Sequence, residues 1–270
     1  MSDQQTSPQR SDGTVGKALE ALDMVAGFGR PVRFSELTAA KRFPKATLFR
    51  LLQTLTSQDM LSYDPETQCY APGLRLVRLA HSAWRQSSLA PIARAHIDSL
   101  AAEVGETVHL AQLDNGQVLY VDKRNAREPV EMFSQAGKIG PAYCTGVGKA
   151  MLAFLDDQRL AQALTRQSFH AFTPNTFATP KKLRAELARI RARGFATDDE
   201  EHEPGIICVA LPILNRTGRV LGALSVTSTT GRTTLGALES LAPRVGQAAR
   251  DIARDAENWQ FPEQDTRRRQ

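Results

Sequence analysis

Apolar residues near the start of the chain recur at the spacing of an amphipathic helix. From Thr14 they repeat every three or four residues and stop at Gly27, which predicts a first helix. Ser35 can cap a short second helix that ends near Lys41. Phe43-Pro44 then breaks this helix, because a residue before proline is pushed out of the α region. Two helices are therefore expected over residues 14–41.

A third helix and a hairpin follow. Residues 45–58 carry a narrow apolar stripe that must pack on the first two helices. The stripe consists of Leu48, Leu51, Leu52 and Leu55. Residues 60–63 and 68–71 flank a polar turn and predict two short strands. Three helices followed by a hairpin form the pattern of a winged helix-turn-helix, and a fourth helix is expected from Leu74 to about Trp84.

The longer C-terminal part mixes helical and strand patterns. A helix is predicted from Leu89 to Val104. Asn115-Gly116 joins strands over 107–113 and 117–122, because Asn-Gly between alternating strands favours a hairpin. The other predicted elements are a helix over 179–194, strands over 206–214 and 219–227, and a helix over 235–256. Hairpins instead of βαβ crossovers indicate an α+β domain, an antiparallel sheet with helices packed on one side.

The helical pattern is interrupted once between these two parts, near residues 85–88. We therefore predict two domains joined by a helix, which also fits a length of 270 residues. The predicted segments are a disordered N-terminus (1–12), a winged helix-turn-helix domain (13–73), a linker helix (74–87), a larger effector-binding, GAF-like domain (88–258) and a disordered tail (259–270).

Composition excludes several classes of protein. The three cysteines are far apart and contain no CxxC pair, so neither a disulfide framework nor a thiolate zinc site is indicated. The N-terminus lacks the apolar core of a signal peptide, and no stretch approaches the length of a membrane helix. We therefore expect a soluble cytoplasmic protein without a metal or other cofactor. The net charge of +5 is compatible with a polyanionic partner.

Positive charge is concentrated around the third helix. Between Lys41 and Gln58 there are four basic residues and no acidic one. A recognition helix needs cations near phosphate and hydrogen-bonding side chains that reach base edges. The residues expected to contact DNA are Lys41, Arg42, Lys45, Thr47, Arg50, Gln53 and Thr54. The alternative is a solvated polar helix face, which the adjoining short helix and hairpin disfavour. Phe49 is expected to pack at the edge of the small core.

Residues 43–55 resemble the recognition segment of the IclR family of bacterial transcription regulators, in the run Phe43-Pro44-Lys45-Ala46-Thr47-Leu48-Phe49-Arg50-Leu51-Leu52-Gln53-Thr54-Leu55. The likeness extends over about residues 14–256. It implies a homodimer, possibly a dimer of dimers, that reads a pseudo-palindromic double-stranded operator. This chain departs from the family at Ala46, where Ser is usual, and at Tyr70-Ala71-Pro72-Gly73, where Tyr-Arg-Leu-Gly is usual and the basic residue of the wing is therefore missing.

The segment from Cys144 to Leu152 runs from a glycine-containing loop into a helix, where free backbone N–H groups suit a carboxylate. It is not a Walker A loop, because Tyr143 stands in place of the first glycine and Ala150 follows the lysine. We expect Lys149 to be paired structurally.

Residues 194–212 and 222–227 resemble the effector-domain signature of the same family. On strand geometry the side chains of Ser225 and Thr227 share one face. The resemblance implies a small organic acid as effector, of the glyoxylate- or pyruvate-like, sugar-derived keto acid or aromatic class. The expected effector-binding residues are Gly146, Val147, Asp198, Cys208, Ser225 and Thr227, with Met132 and Ile206 completing the wall. Gly146 replaces a common Ala, which should enlarge the site slightly.

Other functions compete with this regulator hypothesis. The main rival is a small-molecule hydrolase with Cys208 as nucleophile, His202 as base and Asp198 as orienting group. A metal site in the acidic segment 198–203 is another, although a solvated loop is expected there. An architectural DNA binder without an effector is the third. We favour a regulator that is not an enzyme; its effector, target genes, direction of control and state on DNA stay open.

Overall fold

The computed structural model describes residues 13–87 and 89–257, which form two compact units that divide between Arg85 and Gln86. The predicted disordered ends, 1–12 and 259–270, lie outside the described residues. Each unit has its own sheet and its own apolar core. Within the described ranges, no helix combines the length and the apolar character that a bilayer-spanning segment needs.

The N-terminal unit contains the predicted three helices and hairpin. Its elements are α1 (Thr14–Gly27), β1 (Val32–Arg33), α2 (Phe34–Ala39), α3 (Lys45–Ser57), β2 (Leu61–Asp64), β3 (Cys69–Pro72) and the first part of α4 (Leu74–Ser87). The strands form an antiparallel sheet in the order β1-β3-β2. The prediction of a winged helix-turn-helix is therefore confirmed.

The predicted leucine stripe of α3 is buried. Leu48 and Leu52 are almost fully enclosed, and they pack with Leu22 and Val25 of α1 and with Leu37 of α2. Burying one such side chain stabilises the fold by about 1.5–3 kcal/mol. One face of α3 is thereby fixed to the unit, and the opposite face is left in solvent.

Two local predictions in this unit were wrong. Helix α2 begins at Phe34 and is not capped by Ser35, because the Glu36 carboxylate accepts a hydrogen bond from the Arg33 amide at 3.0 Å and fixes the start earlier. It also ends at Ala39, before Lys41. The two-residue strand β1 was not predicted at all, since it carries too few residues for a period to be read.

The C-terminal unit is built on a six-stranded antiparallel sheet in the order β6-β5-β4-β9-β8-β7. Its strands are β4 (Thr107–Asp114), β5 (Gln117–Arg124), β6 (Ile139–Gly140), β7 (Ala196–Asp199), β8 (Ile206–Leu214) and β9 (Val220–Thr229). Its helices after α4 are α5 (Ala90–Val104), α6 (Gly146–Leu152), α7 (Asp157–Leu164), α8 (Pro180–Arg193), α9 (Leu235–Glu239) and α10 (Ala242–Ala256).

Helices cover both faces of this sheet, so the prediction of helices on one side was wrong. Helices α5, α9 and α10 pack on one face, where Val209 of β8 is buried. Helices α6, α7 and α8 pack on the other, where the next residue, Ala210, is buried. Successive strand residues point to opposite faces. The cause is visible in residues 206–211, an unbroken apolar run that is typical of a strand buried on both sides.

The predicted final helix over 235–256 is divided into α9 and α10. Pro243 lacks a backbone N–H and is tolerated only in the first turn of a helix, so a new helix starts at Ala242. The predicted cap at Thr179, which accepts a hydrogen bond from the Lys182 amide, and the left-handed end of α8 at Gly194 are confirmed.

Candidate functional site

The outer face of α3 and the turn before it form an exposed polar surface. Among the seven residues expected to contact DNA, Thr47 is half-buried and the others are exposed: Lys41, Arg42, Lys45, Arg50, Gln53 and Thr54. Arg50 and Gln53 point away from the leucine core, as a base-reading face requires. The geometry of this face suits insertion into a groove.

Two of these side chains are already engaged within the unit. Arg42 Nη1 donates to Glu20 Oε1 of α1 at 3.1 Å. The Thr54 hydroxyl donates to the Arg50 carbonyl at 2.9 Å, the usual back-bond of a helical threonine. Within the described ranges, no carboxylate pairs with Lys41, Lys45 or Arg50. These three cations are therefore the ones most available to phosphate and base edges.

The tip of the wing carries negative charge. Residues 59–72 include Asp59, Asp64 and Glu66 and contain no basic residue. Hydrogen bonds from the Thr67 hydroxyl at 2.7 Å and from the Glu66 amide at 2.9 Å lower the pKa of Asp64. The tip is therefore anionic at neutral pH and offers no cation to a phosphate.

Phe49 of α3 is 45% exposed. Its ring contacts Phe34 edge to face, with centroids 6.0 Å apart. It therefore lies at the rim of the core, with part of its ring in solvent.

The C-terminal unit contains a small, largely enclosed pocket of about 30 Å³ on the α6 side of its sheet. Its wall includes seven of the predicted effector residues: Gly146, Val147, Asp198, Ile206, Cys208, Ser225 and Thr227. Met132 is buried but does not line the pocket; Ser134, two residues later in the same segment, lies there instead. The contact of Met132 with an effector therefore stays a prediction.

Strand register explains why these residues meet. Asp198 of β7 lies opposite Cys208 of β8, which lies opposite Thr227 of β9. One step along the same face, Ser225 of β9 lies opposite His109 of β4. Directly opposite residues in an antiparallel sheet have side chains on the same face, about 5 Å apart. The sheet therefore brings polar groups from four strands to one point.

Helix α6 closes the pocket from above through Gly146. A Cβ added at Gly146 would overlap Cys208 Sγ. The space that an alanine would fill is therefore occupied by the thiol, and the expected enlargement of the site is wrong. The glycine allows the first turn of α6 to lie directly on the sheet.

His109 lies at the floor of the pocket among hydroxyl groups. Its Nε2 is 2.8 Å from Ser134 Oγ, and its Nδ1 is 3.3 Å from both Ser225 Oγ and Thr227 Oγ1. The Tyr120 ring meets the imidazole edge to face. Burial, reinforced by the positive charge of Lys123, lowers the pKa of His109 to about 3. The imidazole is therefore neutral at physiological pH.

Asp198 and a buried ion pair form the opposite wall. Burial, together with the nearby Glu201 carboxylate, raises the pKa of Asp198 to about 7. Lys149 pairs with Glu201, and both side chains are almost fully enclosed. The Glu201 amide also donates to Asp198 Oδ1 at 2.9 Å. The prediction that Lys149 is paired structurally is confirmed, whereas the expected solvated loop is wrong because Asp198 and Glu201 are buried.

His202 and Glu203 border the pocket on the loop side. The His202 ring lies between those of Phe133 and Phe172, with centroids 5.1 and 4.6 Å away. Glu203 accepts the Phe133 amide at 3.1 Å. Although burial opposes it, hydrogen bonding to His202 and to this amide lowers the pKa of Glu203. These contacts hold the segment with Ser134 against the pocket.

The chemistry of Cys208 does not suit a nucleophile. Burial, and then the Asp198 carboxylate, raises the pKa of its thiol far above the physiological range. A reactive cysteine needs the opposite, an electropositive setting that favours the thiolate. Among residues 13–87 and 89–257, no three His, Cys, Asp or Glu side chains are placed to hold a metal ion.

Six further residues line the pocket that the sequence did not assign to the effector site: His109, Tyr120, Ser134, Thr145, His202 and Glu203. One signal was available for His109, a polar residue inside the apolar strand 107–113. Ser134 gave none, because its segment has no periodic pattern.

Comparison with protein families gives two matches on this chain. The family described as bacterial transcriptional regulator IclR C-terminal matches residues 81–254, and the IclR helix-turn-helix domain matches residues 14–65. The helix-turn-helix match lies within the N-terminal unit, and the C-terminal match lies almost entirely within the other.

Individual relatives match over most of their length. The HTH-type transcriptional regulator XynR of Escherichia coli (strain K12) is 30% identical over 89% of this chain and 96% of its own. The acetate operon repressor of Salmonella typhimurium is 30% identical over 87% of each chain. The crystal structure of the Thermotoga maritima IclR matches with a TM-score of 0.73 at 29% identity, covering 89% of this chain and 97% of that one.

Proposed function

Because the chain belongs to the IclR family of bacterial transcriptional regulators, we propose that a small organic acid in the C-terminal pocket controls how its helix-turn-helix binds an operator. The observation that carries the proposal is the convergence of seven predicted residues on one pocket. A concave site with a few convergent polar groups is the usual composition of a small-molecule site.

The size and polarity of the pocket support a carboxylate with few carbon atoms. The pocket is small, at about 30 Å³, so a bulky ligand would require its wall to move. The hydroxyls of Ser225 and Thr227 are hydrogen-bond donors for an anion. The backbone amides of Gly146 and Val147 precede the first intrahelical bond of α6 and have no helical acceptor. A glyoxylate- or pyruvate-like acid fits these features better than an aromatic acid.

On DNA, α3 reads the major groove. Arg50 and Gln53 contact base edges, where Arg suits guanine and Gln suits adenine. Lys41, Lys45 and Arg42 neutralise phosphates, with Arg42 giving up part of its contact to Glu20. Thr47 and Thr54 complete the interface at the two ends of this face. Base contacts provide specificity, and phosphate contacts provide affinity.

The protein acts as a homodimer, possibly as a dimer of dimers. Apolar side chains on α1 and α4 of the N-terminal unit stand in solvent: Val15, Leu19, Leu74, Val77 and Leu79. Leu74 and Val77 lie three residues apart, on one face of α4, and exposed apolar side chains that share a face are typical of a protein interface. A second copy of the chain packs on this surface, because a two-fold dimer presents two α3 helices to a pseudo-palindromic site.

Effector binding acts on the operator through α4, which belongs to both units. We expect the effector to prefer one packing of this helix, and so one spacing of the two winged domains. It can change operator affinity only by as much as its affinities for the two arrangements differ. For the direction of transcriptional control, the name of the related acetate operon repressor supports repression.

The function is binding and not turnover. Cys208, the nucleophile of the hydrolase alternative, holds its proton at neutral pH. The contacts of His202 with Glu203 and two phenyl rings support a role in holding the pocket wall. We therefore expect no hydrolysis of carboxylic esters or amides.

A panel of small carboxylates tests the proposal. Glyoxylate, pyruvate, a four-carbon keto acid and benzoate are added to the full chain, and the thermal midpoint and operator affinity are measured. An acid that binds the native state raises the midpoint. We expect at least one aliphatic acid to do so and to change operator affinity. Thr227→Val should abolish both effects and keep basal operator binding, whereas identical operator binding with and without a bound acid would contradict the coupling.

A further inference from the structure

His109 and three hydroxyl groups form a buried hydrogen-bond network in the pocket. His109, Ser134, Ser225 and Thr227 are each at most 7% exposed. Ser134 Oγ contacts Nε2 at 2.8 Å, and Nδ1 is equidistant, at 3.3 Å, from Ser225 Oγ and Thr227 Oγ1. The two hydroxyls are also 3.3 Å from each other. Nδ1 and these two oxygens therefore form a triangle of long contacts, anchored by one short contact to Ser134.

The number of hydrogens limits what the network can satisfy. A neutral imidazole carries one N–H, and each hydroxyl carries one O–H. Nδ1 can make one of its two contacts at a time, as a donor or as an acceptor. Three hydrogen bonds therefore form among the four groups, and one hydrogen always remains. The tautomer of His109 decides where it remains.

The two tautomers leave this hydrogen at opposite ends of the network. With the proton on Nε2, the imidazole donates to Ser134, and the unused hydrogen belongs to the Ser134 hydroxyl. With the proton on Nδ1, Ser134 donates to Nε2, and Nδ1 donates to the triangle. The unused hydrogen then belongs to Ser225 or Thr227, beside Asp198 and the start of α6 in the pocket wall.

We propose that Ser134 holds His109 as its Nδ1–H tautomer, which makes Ser225 and Thr227 a matched pair of donors for a ligand carboxylate. His109 is thus a positioning residue that selects an anionic acceptor over a hydrogen-bond donor. The identity of the ligand group rests on the proposed function; the tautomer does not.

The contacts support this tautomer. In the part of the chain that the structure describes, His109 is the hydrogen-bond partner of the Ser134 hydroxyl, and donation to Nε2 gives that buried hydrogen an acceptor. The Ser225–Thr227 contact is long, at 3.3 Å, and the hydrogen bond is therefore weak. A carboxylate that accepts from both hydroxyls replaces only this weak hydrogen bond.

The same arrangement disfavours neutral ligands. In this tautomer the hydrogen that lacks an acceptor belongs to Ser225 or Thr227, so a ligand gains most by offering acceptors. A carboxylate offers two charged oxygens, and its charge-assisted hydrogen bonds are stronger than those of an alcohol or a primary amide. A site built for one hydrogen-bonding pattern rejects an isostere that lacks it, because polar groups are then left unpaired. We expect pyruvate to bind at least tenfold more tightly than its amide.

The tautomer can be measured on the full chain without any ligand. Two-bond proton–nitrogen correlations of protein labelled with 15N-histidine separate the protonated from the unprotonated ring nitrogen. The His109 signals are assigned by their loss in His109→Gln or, if that variant does not fold, by their failure to titrate between pH 5 and 8. We expect the proton on Nδ1, and Ser134→Ala should shift it at least partly to Nε2. A wild-type proton on Nε2, or a tautomer unaffected by Ser134→Ala, overturns the proposal.

A matched control is available on the same strand. Ser228 of β9 is equally buried, its hydroxyl has no partner among the described residues, and it points to the opposite face of the sheet from Thr227. Ser228→Ala should leave the His109 signals unchanged. For a carboxylate that binds, Ser134→Ala should lower affinity about three- to tenfold, the loss expected for one hydrogen bond. If no acid in the panel binds, the proposed effector class fails, while the tautomer is decided by the spectra alone.

Discussion

Asp198 is the side chain from which we expect the pocket to be sensitive to pH. Asp198 faces the space that the effector carboxylate would occupy, beside Cys208 and within reach of Glu201, Lys149 and Glu203. Because burial raises its pKa to about 7, Asp198 is largely protonated below neutral pH and charged above it. The charged form repels an anion, and the neutral form can donate a hydrogen bond to it.

We therefore predict that acid binding weakens as pH rises. If only the protonated form of Asp198 accepts the ligand, affinity for pyruvate should fall about tenfold between pH 6 and pH 8, where pyruvate itself does not titrate. Isothermal titration calorimetry at both values checks this. Asp198→Asn, which cannot ionise, should remove the dependence; a wild-type affinity that is constant over this range would contradict the prediction.

Gly146 and Cys208 should behave as a coupled pair. Gly146→Ala forces a methyl group into the thiol and should lower the free energy of unfolding by about 1–3 kcal/mol, as overpacking does. Adding Cys208→Ala removes the obstacle and should recover most of that loss. Urea unfolding of the two single variants and the double variant measures the coupling, and strictly additive losses would show that the two side chains do not collide.

Helix α3 and the tip of the wing carry opposite charge. The helix presents Lys45 and Arg50, whereas the wing tip presents Asp64 and Glu66. We therefore expect the helix to attract DNA phosphates and the wing tip to repel them. Specificity and salt dependence should accordingly trace to the helix and the turn before it.

Two substitutions on the α3 side separate base reading from phosphate contact. Arg50→Ala should weaken operator binding by about 1–3 kcal/mol and binding to random duplex much less. Lys41→Ala should weaken both and make the salt slope shallower by about one. Fluorescence anisotropy at several salt concentrations measures both quantities. Equal losses on operator and random DNA for both variants would undo the division of roles.

The wing can be tested by reversing one charge. Glu66→Lys replaces a repulsive group with a cation and should tighten binding to operator and random duplex alike, with a steeper salt dependence. Glu239→Lys adds the same charge to the C-terminal unit and serves as the control. If Glu66→Lys gains no more than Glu239→Lys, the wing does not approach the phosphates.

At this scale the sequence predicted most elements and misjudged how one face of the sheet is covered. The hairpin at Asn115-Gly116 and the cap at Thr179 were readable because turns and caps require particular residue types. The packing of α6, α7 and α8 on the second face of the sheet was missed, although the unbroken apolar run of β8 already indicated burial on both faces. His109 and Ser134 could not be paired in advance, because strand register and an aperiodic segment bring them together.

Across the whole molecule, α4 connects the unit that binds DNA to the unit that holds the pocket. Ala80→Pro should break this helix, because proline removes a backbone donor and clashes with the preceding turn. We expect the variant still to gain thermal stability from a bound acid while its operator affinity no longer responds. Ala80→Ser is the control and should keep the response. Retained coupling in the proline variant would mean that the signal travels by another route.

The enclosed Lys149–Glu201 pair has a consequence for engineering. It fastens helix α6 to the segment after β7, and losing one partner of such a pair costs about 3–5 kcal/mol. The pair joins these two segments in the unliganded protein, so this part of the site does not have to be assembled when a ligand binds. To design a biosensor for a different metabolite, side chains on the sheet can be exchanged while the Lys149–Glu201 ion pair is kept.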